Sequence, residues 1–89
     1  MPSINGTTTL EGKPAGGVYL RLIGPSGEFV SEQYTKDDGR FTFHVAVGSW
    51  TLEAKAAGAE PLKQTVDVAS EGDELSVPVD LGSAGGAKA

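Results

Sequence analysis

Residues 38–58 decide the fold and read DGRFTFHVAVGSWTLEAKAAG. Apolar residues alternate with polar ones in two runs, residues 41–45 and 49–54, and a period of two is typical of strands that bury one face. A short segment that ends in Gly48 separates the runs. The pattern predicts a β-hairpin whose apolar side chains, Trp50 among them, belong to the core.

The rest of the chain repeats this pattern between turns rich in glycine, proline, aspartate and serine. Strands are predicted at residues 4–10, 18–23, 28–34, 41–45, 49–54, 62–68 and 74–80. Because no clear helical spacing intervenes, consecutive strands are expected to pair antiparallel. The predicted fold class is all-β: one antiparallel, Ig-like β-sandwich of about seven short strands over residues 1–81, followed by a flexible Gly/Ala-rich tail at residues 82–89.

A chain of 89 residues closes a single hydrophobic core, so most large apolar side chains are expected to be structural. The predicted core follows the alternating positions of the strands. Its members are Leu20, Leu22, Phe29, Phe41, Phe43, Trp50, Leu52, Val66, Val68, Leu75, Val77, Val79 and Leu81.

Composition excludes several classes of function. A net charge of −5, with the seven Lys and Arg residues scattered, argues against binding a phosphate backbone, so no nucleic-acid partner is expected. The absence of cysteine excludes disulfides, thiolate nucleophiles and zinc–thiolate sites. No run is apolar and long enough to span a membrane, and the first residues lack a signal-peptide pattern. We therefore expect a soluble protein without a signal peptide, which would be cytoplasmic or, as a subunit of a viral assembly, virion-associated.

Each motif that resembles a catalytic or metal site has a simpler structural interpretation. His44, the only histidine, alternates with core positions and has no identifiable partner that would orient it as a base. Ser49 precedes a strand, whereas a nucleophile elbow precedes a helix. Asp38, which stands before Gly39, is more typical of a tight hairpin turn than of a calcium loop. We predict no catalytic residue, no cofactor, no metal and no small-molecule substrate.

A protein interface is the remaining candidate site. Tyr19, Arg21 and Ile23 alternate with apolar neighbours and should project outward, and Tyr and Arg are favoured as interface anchors. Two interpretations stay open: a strand covered by its own neighbours, or a partner surface. The first and last predicted strands are expected at sheet edges, where unpaired backbone groups invite another chain. The candidate interface is therefore Tyr19, Arg21, Ile23, Thr7 and Thr9.

Several segments carry a resemblance to a known group. They are residues 4–6 (ING), 12–20 (GKPAGGVYL), 38–43 (DGRFTF) and 48–54 (GSWTLEA). In this order they resemble the carboxypeptidase regulatory-like domains. Through residues 17–22 (GVYLRL), 27–29 (GEF) and 48–52 (GSWTL), the chain looks most like a family of short, uncharacterised actinobacterial proteins. The resemblance implies a transthyretin-like (prealbumin-like) β-sandwich over roughly residues 4–81.

The resemblance also bears on function, because domains of this group generally act as accessory, adhesive or interaction modules. We expect a non-enzymatic structural module that binds protein, either by self-association or as a peripheral or decorating subunit of a larger assembly such as an actinobacterial phage capsid. The alternative is a cellular accessory protein of sulfur metabolism, since short relatives are often associated with sulfurtransferase genes. Those relatives tend to carry an N-terminal cysteine, which this chain lacks.

Overall fold

The computed structural model describes residues 1–82, and this part of the chain consists of strands and turns. The strands are β1 (Ser3–Leu10), β2 (Lys13–Pro14), β3 (Tyr19–Ile23), β4 (Phe29–Tyr34), β5 (Arg40–His44), β6 (Gly48–Lys55), β7 (Leu62–Val68), β8 (Glu74–Ser76) and β9 (Val79–Asp80). No helix in this range is long and apolar enough to cross a membrane. The predicted tail, apart from Gly82, lies outside the described residues.

Two sheets face each other, which confirms the all-β sandwich. The first is a four-stranded antiparallel sheet in the order β4-β3-β6-β7. The second is built around β1, which pairs antiparallel with β2 and β5 and parallel with β8 and β9. The expectation of purely antiparallel pairing is therefore wrong at β8 and β9. These strands follow β7 of the other sheet, and no hairpin turn fixes their direction.

The core lies between the sheets and agrees closely with the alternating pattern. Its buried apolar members are Ile4, Val18, Leu20, Leu22, Phe41, Phe43, Val45, Trp50, Leu52, Ala54, Val66, Val68, Val77, Val79 and Leu81. Leu75 packs against this cluster but is only partly buried. Phe29 is the one predicted core residue that lies outside.

The predicted hairpin at residues 38–58 is wrong in its pairing. β5 pairs with β1 and β6 pairs with β3 and β7, so the two strands belong to opposite sheets. The segment between them crosses the sandwich, and the Trp50 indole Nε1 donates a hydrogen bond to the Ala46 carbonyl at 2.9 Å. Phe43 and Trp50 thus enter one core from opposite sides. Alternation reports which face of a strand is buried and leaves its partner undetermined.

One of the two predicted edge positions is wrong. The last predicted strand does lie at an edge, because within residues 1–82 its parts β8 and β9 pair only with β1. β1, expected at an edge, is the centre of its sheet, while β4 and β7 are the edges of the four-stranded sheet. The predicted final strand is divided into β8 and β9 at Pro78, which has no backbone N–H to donate. The neighbouring residues remain tied to β1, because Val77 N donates to Asn5 O at 2.7 Å and Leu81 N donates to Thr9 O at 2.8 Å.

A β-bulge explains why Phe29 is exposed. Ser31 pairs with Leu22 on the inner face, but Phe29 pairs with Ile23, so Val30 is an extra residue in β4. The extra residue shifts the alternation and turns Phe29 to the outer face, where it is 52% exposed. The core assignment of Phe29 fails at this irregularity, which simple alternation does not predict.

Two threonines form a buried polar cluster at one end of the sandwich. The hydroxyls of Thr8 and Thr35 both donate to the Ala15 carbonyl, at 2.7 and 3.1 Å. Thr35 Oγ1 also accepts a hydrogen bond from Val18 N at 3.0 Å. Both side chains are almost fully buried, so these bonds compensate for their desolvation and tie β1 to the entry of β3.

Candidate functional site

The five predicted interface residues lie on two different faces of the sandwich. Tyr19, Arg21 and Ile23 project from β3 on the outer face of the four-stranded sheet, as predicted, and are partly buried by their neighbours. Thr7 and Thr9 project from β1 on the outer face of the other sheet. The structure therefore defines two candidate sites in place of one.

The first site is an exposed patch of aromatic and apolar side chains around a cation, which we call the aromatic surface: Tyr19, Arg21, Phe29, Val30 and Tyr34. The rings of Tyr19 and Tyr34 face each other across paired strands, with centroids 5.4 Å apart and planes tilted by 49°. The Arg21 guanidinium carbon lies 5.4 Å from the Phe29 ring centroid. Tyr34 is 67% and Val30 45% exposed, so contact area remains available to a partner.

Polar side chains hold the aromatic surface in place. Arg21 Nη1 lies 3.6 Å from Glu53 Oε1, and the second oxygen of Glu53 lies 3.8 Å from Lys63 Nζ. The Tyr19 hydroxyl donates a short hydrogen bond to Glu32. This bond, with a smaller contribution from desolvation, raises the pKa of Tyr19 above its ordinary value of 10.0. Exposed ion pairs add little stability, and their effect here is to orient Arg21.

The aromatic surface borders the unpaired edge of β4. Thr35 N donates to Val18 O at 2.9 Å, so the backbone groups of Thr35 point toward the β3 side. Because hydrogen-bonding direction alternates along a strand, the backbone N–H and C=O groups of Glu32 and Tyr34 point away from β3. Within residues 1–82 these groups have no backbone partner, so they can pair with an extended segment of another chain.

Gln33 links the two sheets beside this edge. Its side-chain Nε2 donates to the backbone carbonyl of Thr42 on β5 at 2.8 Å. The bond spans the opening between the edge of one sheet and the edge of the other. The edge of β4 is therefore tied to β5 by a side chain from the inner face of β4, which is not part of the aromatic surface.

The second site is a polar cleft of about 550 Å³ on the outer face of the sheet centred on β1. Asn5 organises its floor, since its Oδ1 accepts from the Thr42 hydroxyl at 2.8 Å and its Nδ2 donates to Ser3 Oγ at 2.8 Å. The lining residues are Asn5, Gly6, Thr7, Lys36, Asp38, Arg40, Phe41, Thr42 and Ser76.

One carboxylate and one guanidinium at the cleft are held together. Asp38 accepts from the backbone N of Arg40 at 3.1 Å and from its Nε at 2.8 Å. These hydrogen bonds from Arg40 lower the pKa of Asp38 below its ordinary value of 3.8. Asp38 also supports the predicted tight turn, in which Gly39 takes a φ of 82° and donates its N–H to Lys36 O at 2.7 Å. This turn joins β4 of one sheet to β5 of the other, so it is not the predicted hairpin turn.

The residues weighed as catalytic candidates are not brought together. His44 is exposed on β5, and Ser49 is exposed on β6, a strand of the opposite sheet. Within residues 1–82, no group of three or more His, Cys, Asp and Glu side chains could hold a metal ion.

Sequence reasoning missed Phe29 and Tyr34 as members of the aromatic surface, and Lys36 and Arg40 as members of the cleft. Tyr34 had a usable signal, because it is a large aromatic residue that follows three polar ones, Ser31, Glu32 and Gln33. Phe29 had no such signal, because regular alternation assigns it to the inner face and only the bulge turns it to the outer face. The cleft combines residues from separate strands, and only their pairing reveals it.

Solved structures define the class of fold. The chain is similar to the dioxygenase domain of a dioxygenase carbohydrate-binding protein fusion from Streptomyces sp. SirexAA-E, with a TM-score of 0.76 and 20% identity over 93% of this chain and 80% of that one. It is also similar to 5-hydroxyisourate hydrolase of Klebsiella pneumoniae, with a TM-score of 0.72 and 20% identity over 90% of this chain and 89% of that one. The similarity to transthyretin of Sparus aurata has a TM-score of 0.58 and 16% identity, and it covers 91% of this chain and 89% of that one. The protein is therefore a transthyretin-like β-sandwich. At these identities the similarity establishes the fold alone, and this fold also occurs in enzymes.

The family is established by sequence. Residues 2–80 match the family described as "Protein of unknown function (DUF1416)", and the chain belongs to this family. Among curated relatives, the uncharacterized proteins Rv0814c and Rv3118 of Mycobacterium tuberculosis (strain ATCC 25618 / H37Rv) are each 43% identical over 47 residues. The match covers 53% of this chain and 47% of each relative, so it spans about half the length of these proteins.

Proposed function

We propose that the chain is a non-enzymatic module that binds another protein through its aromatic surface and the adjoining edge of β4. The observation that carries this proposal is the exposure of Phe29 (52%) and Tyr34 (67%) on a strand whose outer backbone groups pair with no other part of residues 1–82. Large exposed aromatic side chains next to an arginine are the residue types that anchor protein interfaces.

The aromatic surface is also organised before any partner arrives. Arg21 is held between Glu53 and the Phe29 ring, and Tyr19 is held by Glu32. Side chains that are already ordered lose less conformational entropy on binding, so more of the contact energy is retained as affinity. The edge of β4 adds backbone hydrogen bonds to the side-chain contacts.

The non-enzymatic part of the proposal is supported by the side chains available. The single histidine, His44, and the candidate serine, Ser49, lie on strands of opposite sheets, and within residues 1–82 neither has the oriented partner that nucleophilic catalysis needs. The resemblance of the sequence to the carboxypeptidase regulatory-like domains favours the same role.

Two settings for this binding are proposed. In the first, the chain is a peripheral or decorating subunit of a larger assembly, such as the capsid of an actinobacterial phage. In the second, it is a cellular accessory protein of sulfur metabolism. They differ in the partner: a repeated capsid protein in the first case, and a sulfurtransferase in the second.

Affinity purification with matched variants tests the proposal. The tagged chain is recovered from its source cells or virions, and the mass of the complex is measured by native mass spectrometry. We expect one protein partner in fixed stoichiometry with the wild type and with Val47→Ala, a control that truncates an apolar residue 42% exposed outside the aromatic surface. Phe29→Ala/Tyr34→Ala should lose the partner while remaining folded. A monomer without partner, or equal recovery with the double variant, would overturn the proposal.

A further inference from the structure

The polar cleft joins three segments that are distant in sequence. On the outer face of its sheet, Asn5 pairs with Thr42 on one side and with Ser76 on the other, which places these short polar side chains in one row. Thr7 and Arg40 pair in the next row. The resulting concavity of about 550 Å³ has the size of a small-molecule site.

The charge of the cleft is opposite to that of the protein. Its lining holds two cations, Lys36 and Arg40, and one carboxylate, Asp38, which gives +2 − 1 = +1, whereas the chain carries −5. Asp38 is engaged by the backbone N and the Nε of Arg40. The Arg40 Nη atoms and Lys36 Nζ contact no acceptor within residues 1–82, so these charged donors are available to a ligand.

Uncharged donors lie beside these cations. The hydroxyls of Thr7 and Ser76 line the cleft and donate no hydrogen bond to other side chains or to the backbone of residues 1–82. The hydroxyl of Thr42 is already committed to Asn5 Oδ1. Besides the engaged Asp38, a ligand in the cleft would therefore meet two cations and two hydroxyls that can donate, and charge-assisted hydrogen bonds from the guanidinium favour an oxyanion.

We propose that this cleft binds a small molecule that carries a phosphate or carboxylate group, with Arg40 and Lys36 contacting the anion and the hydroxyls of Thr7 and Ser76 completing its hydrogen bonds. Asp38 positions the guanidinium of Arg40. The site lies on the face opposite to the aromatic surface, so it is independent of the proposed protein-binding role and goes beyond it.

Titration followed by ¹H–¹⁵N NMR tests this proposal on the full chain. Inorganic phosphate and citrate are added separately at constant ionic strength, with sodium chloride as the balancing salt. We expect saturable shifts of the backbone amides of Thr7, Arg40 and Ser76 with at least one of the two anions. Arg40→Gln should weaken the affinity by about tenfold or more, because it removes charged hydrogen-bond donors. Lys63→Gln, on the opposite face, should leave the affinity unchanged.

The outcomes separate cleanly. Saturation by phosphate alone identifies a phosphate site, saturation by citrate alone identifies a carboxylate site, and either result supports the proposal. Shifts that stay linear with concentration, shifts of equal size around Lys63, or an affinity unaffected by Arg40→Gln would overturn it. An otherwise unchanged spectrum of Arg40→Gln shows that the variant is folded.

Discussion

The two outer faces of the sandwich differ in the length of their side chains and in the surface that results. On the four-stranded sheet, long side chains such as Tyr19, Arg21 and Glu53 lie across one another and cover the strands. On the sheet centred on β1, short side chains such as Asn5 and Thr42 bond to each other and leave a cleft above them. The same sandwich therefore offers a broad aromatic surface on one face and a small polar site on the other.

The aromatic surface depends on one local irregularity. Without the bulge, Val30 would pair with Ile23, and Phe29 would share the inner face of β4 with Ser31 and Gln33. The cleft depends on pairing between distant strands, because β1 brings β5 and β8 to its two sides. One face thus follows from a bulge, and the other follows from topology.

The largest expected effect is a difference in the free energy of unfolding between two phenylalanine variants, one in the core and one in the aromatic surface. Phe43→Ala should lower the free energy of unfolding by about 3–5 kcal/mol, since Phe43 is only 4% exposed. Phe29→Ala should cost no more than about 1 kcal/mol, because it removes mainly a cation–π contact at an exposed site. Urea unfolding of both variants measures the difference. Equal losses would mean that the bulge does not place Phe29 outside.

Phe43, Phe29 and β1 show how much of the structure could be predicted from the sequence. Strict alternation gives the face of a strand, so Phe43 and Trp50 were correctly assigned to the core. Alternation does not give the partner, so the hairpin at residues 38–58 was wrong and β1 was misplaced at an edge. Alternation also predicts neither the bulge at Val30 nor the strand pairing that forms the cleft.

A smaller effect separates the two faces of β1. Thr8→Val keeps the side-chain shape but removes the hydroxyl that donates to the Ala15 carbonyl in the buried cluster, and should cost about 1–2 kcal/mol. Thr9→Val, on the outer face, should change the free energy of unfolding by no more than about 0.5 kcal/mol. Chemical denaturation of the pair provides the test, and a larger loss from Thr9→Val would reverse the assigned faces.

The smallest effect concerns the pKa of Tyr19, which the Glu32 hydrogen bond raises above 10.0. In the Tyr34→Phe variant Tyr19 is the only tyrosine, so tyrosinate absorbance reports it alone. We expect titration above pH 10.0, and a lower pKa after Glu32→Gln is added. Because the folded pKa exceeds the unfolded one, the stabilising contribution is present below the unfolded pKa and is lost as pH rises through the folded pKa. An unchanged pKa after Glu32→Gln would contradict the contact.

Hydrogen exchange on the chain alone and in its recovered complex tests the central claim most directly, because it reports which edge and which face a partner covers. We predict slower exchange of the amides of Glu32 and Tyr34 in the complex, with the cleft residues Thr7 and Ser76 unchanged. Protection confined to the cleft or to β7, with β4 exchanging as in the free chain, would contradict the assignment of protein binding to the aromatic surface.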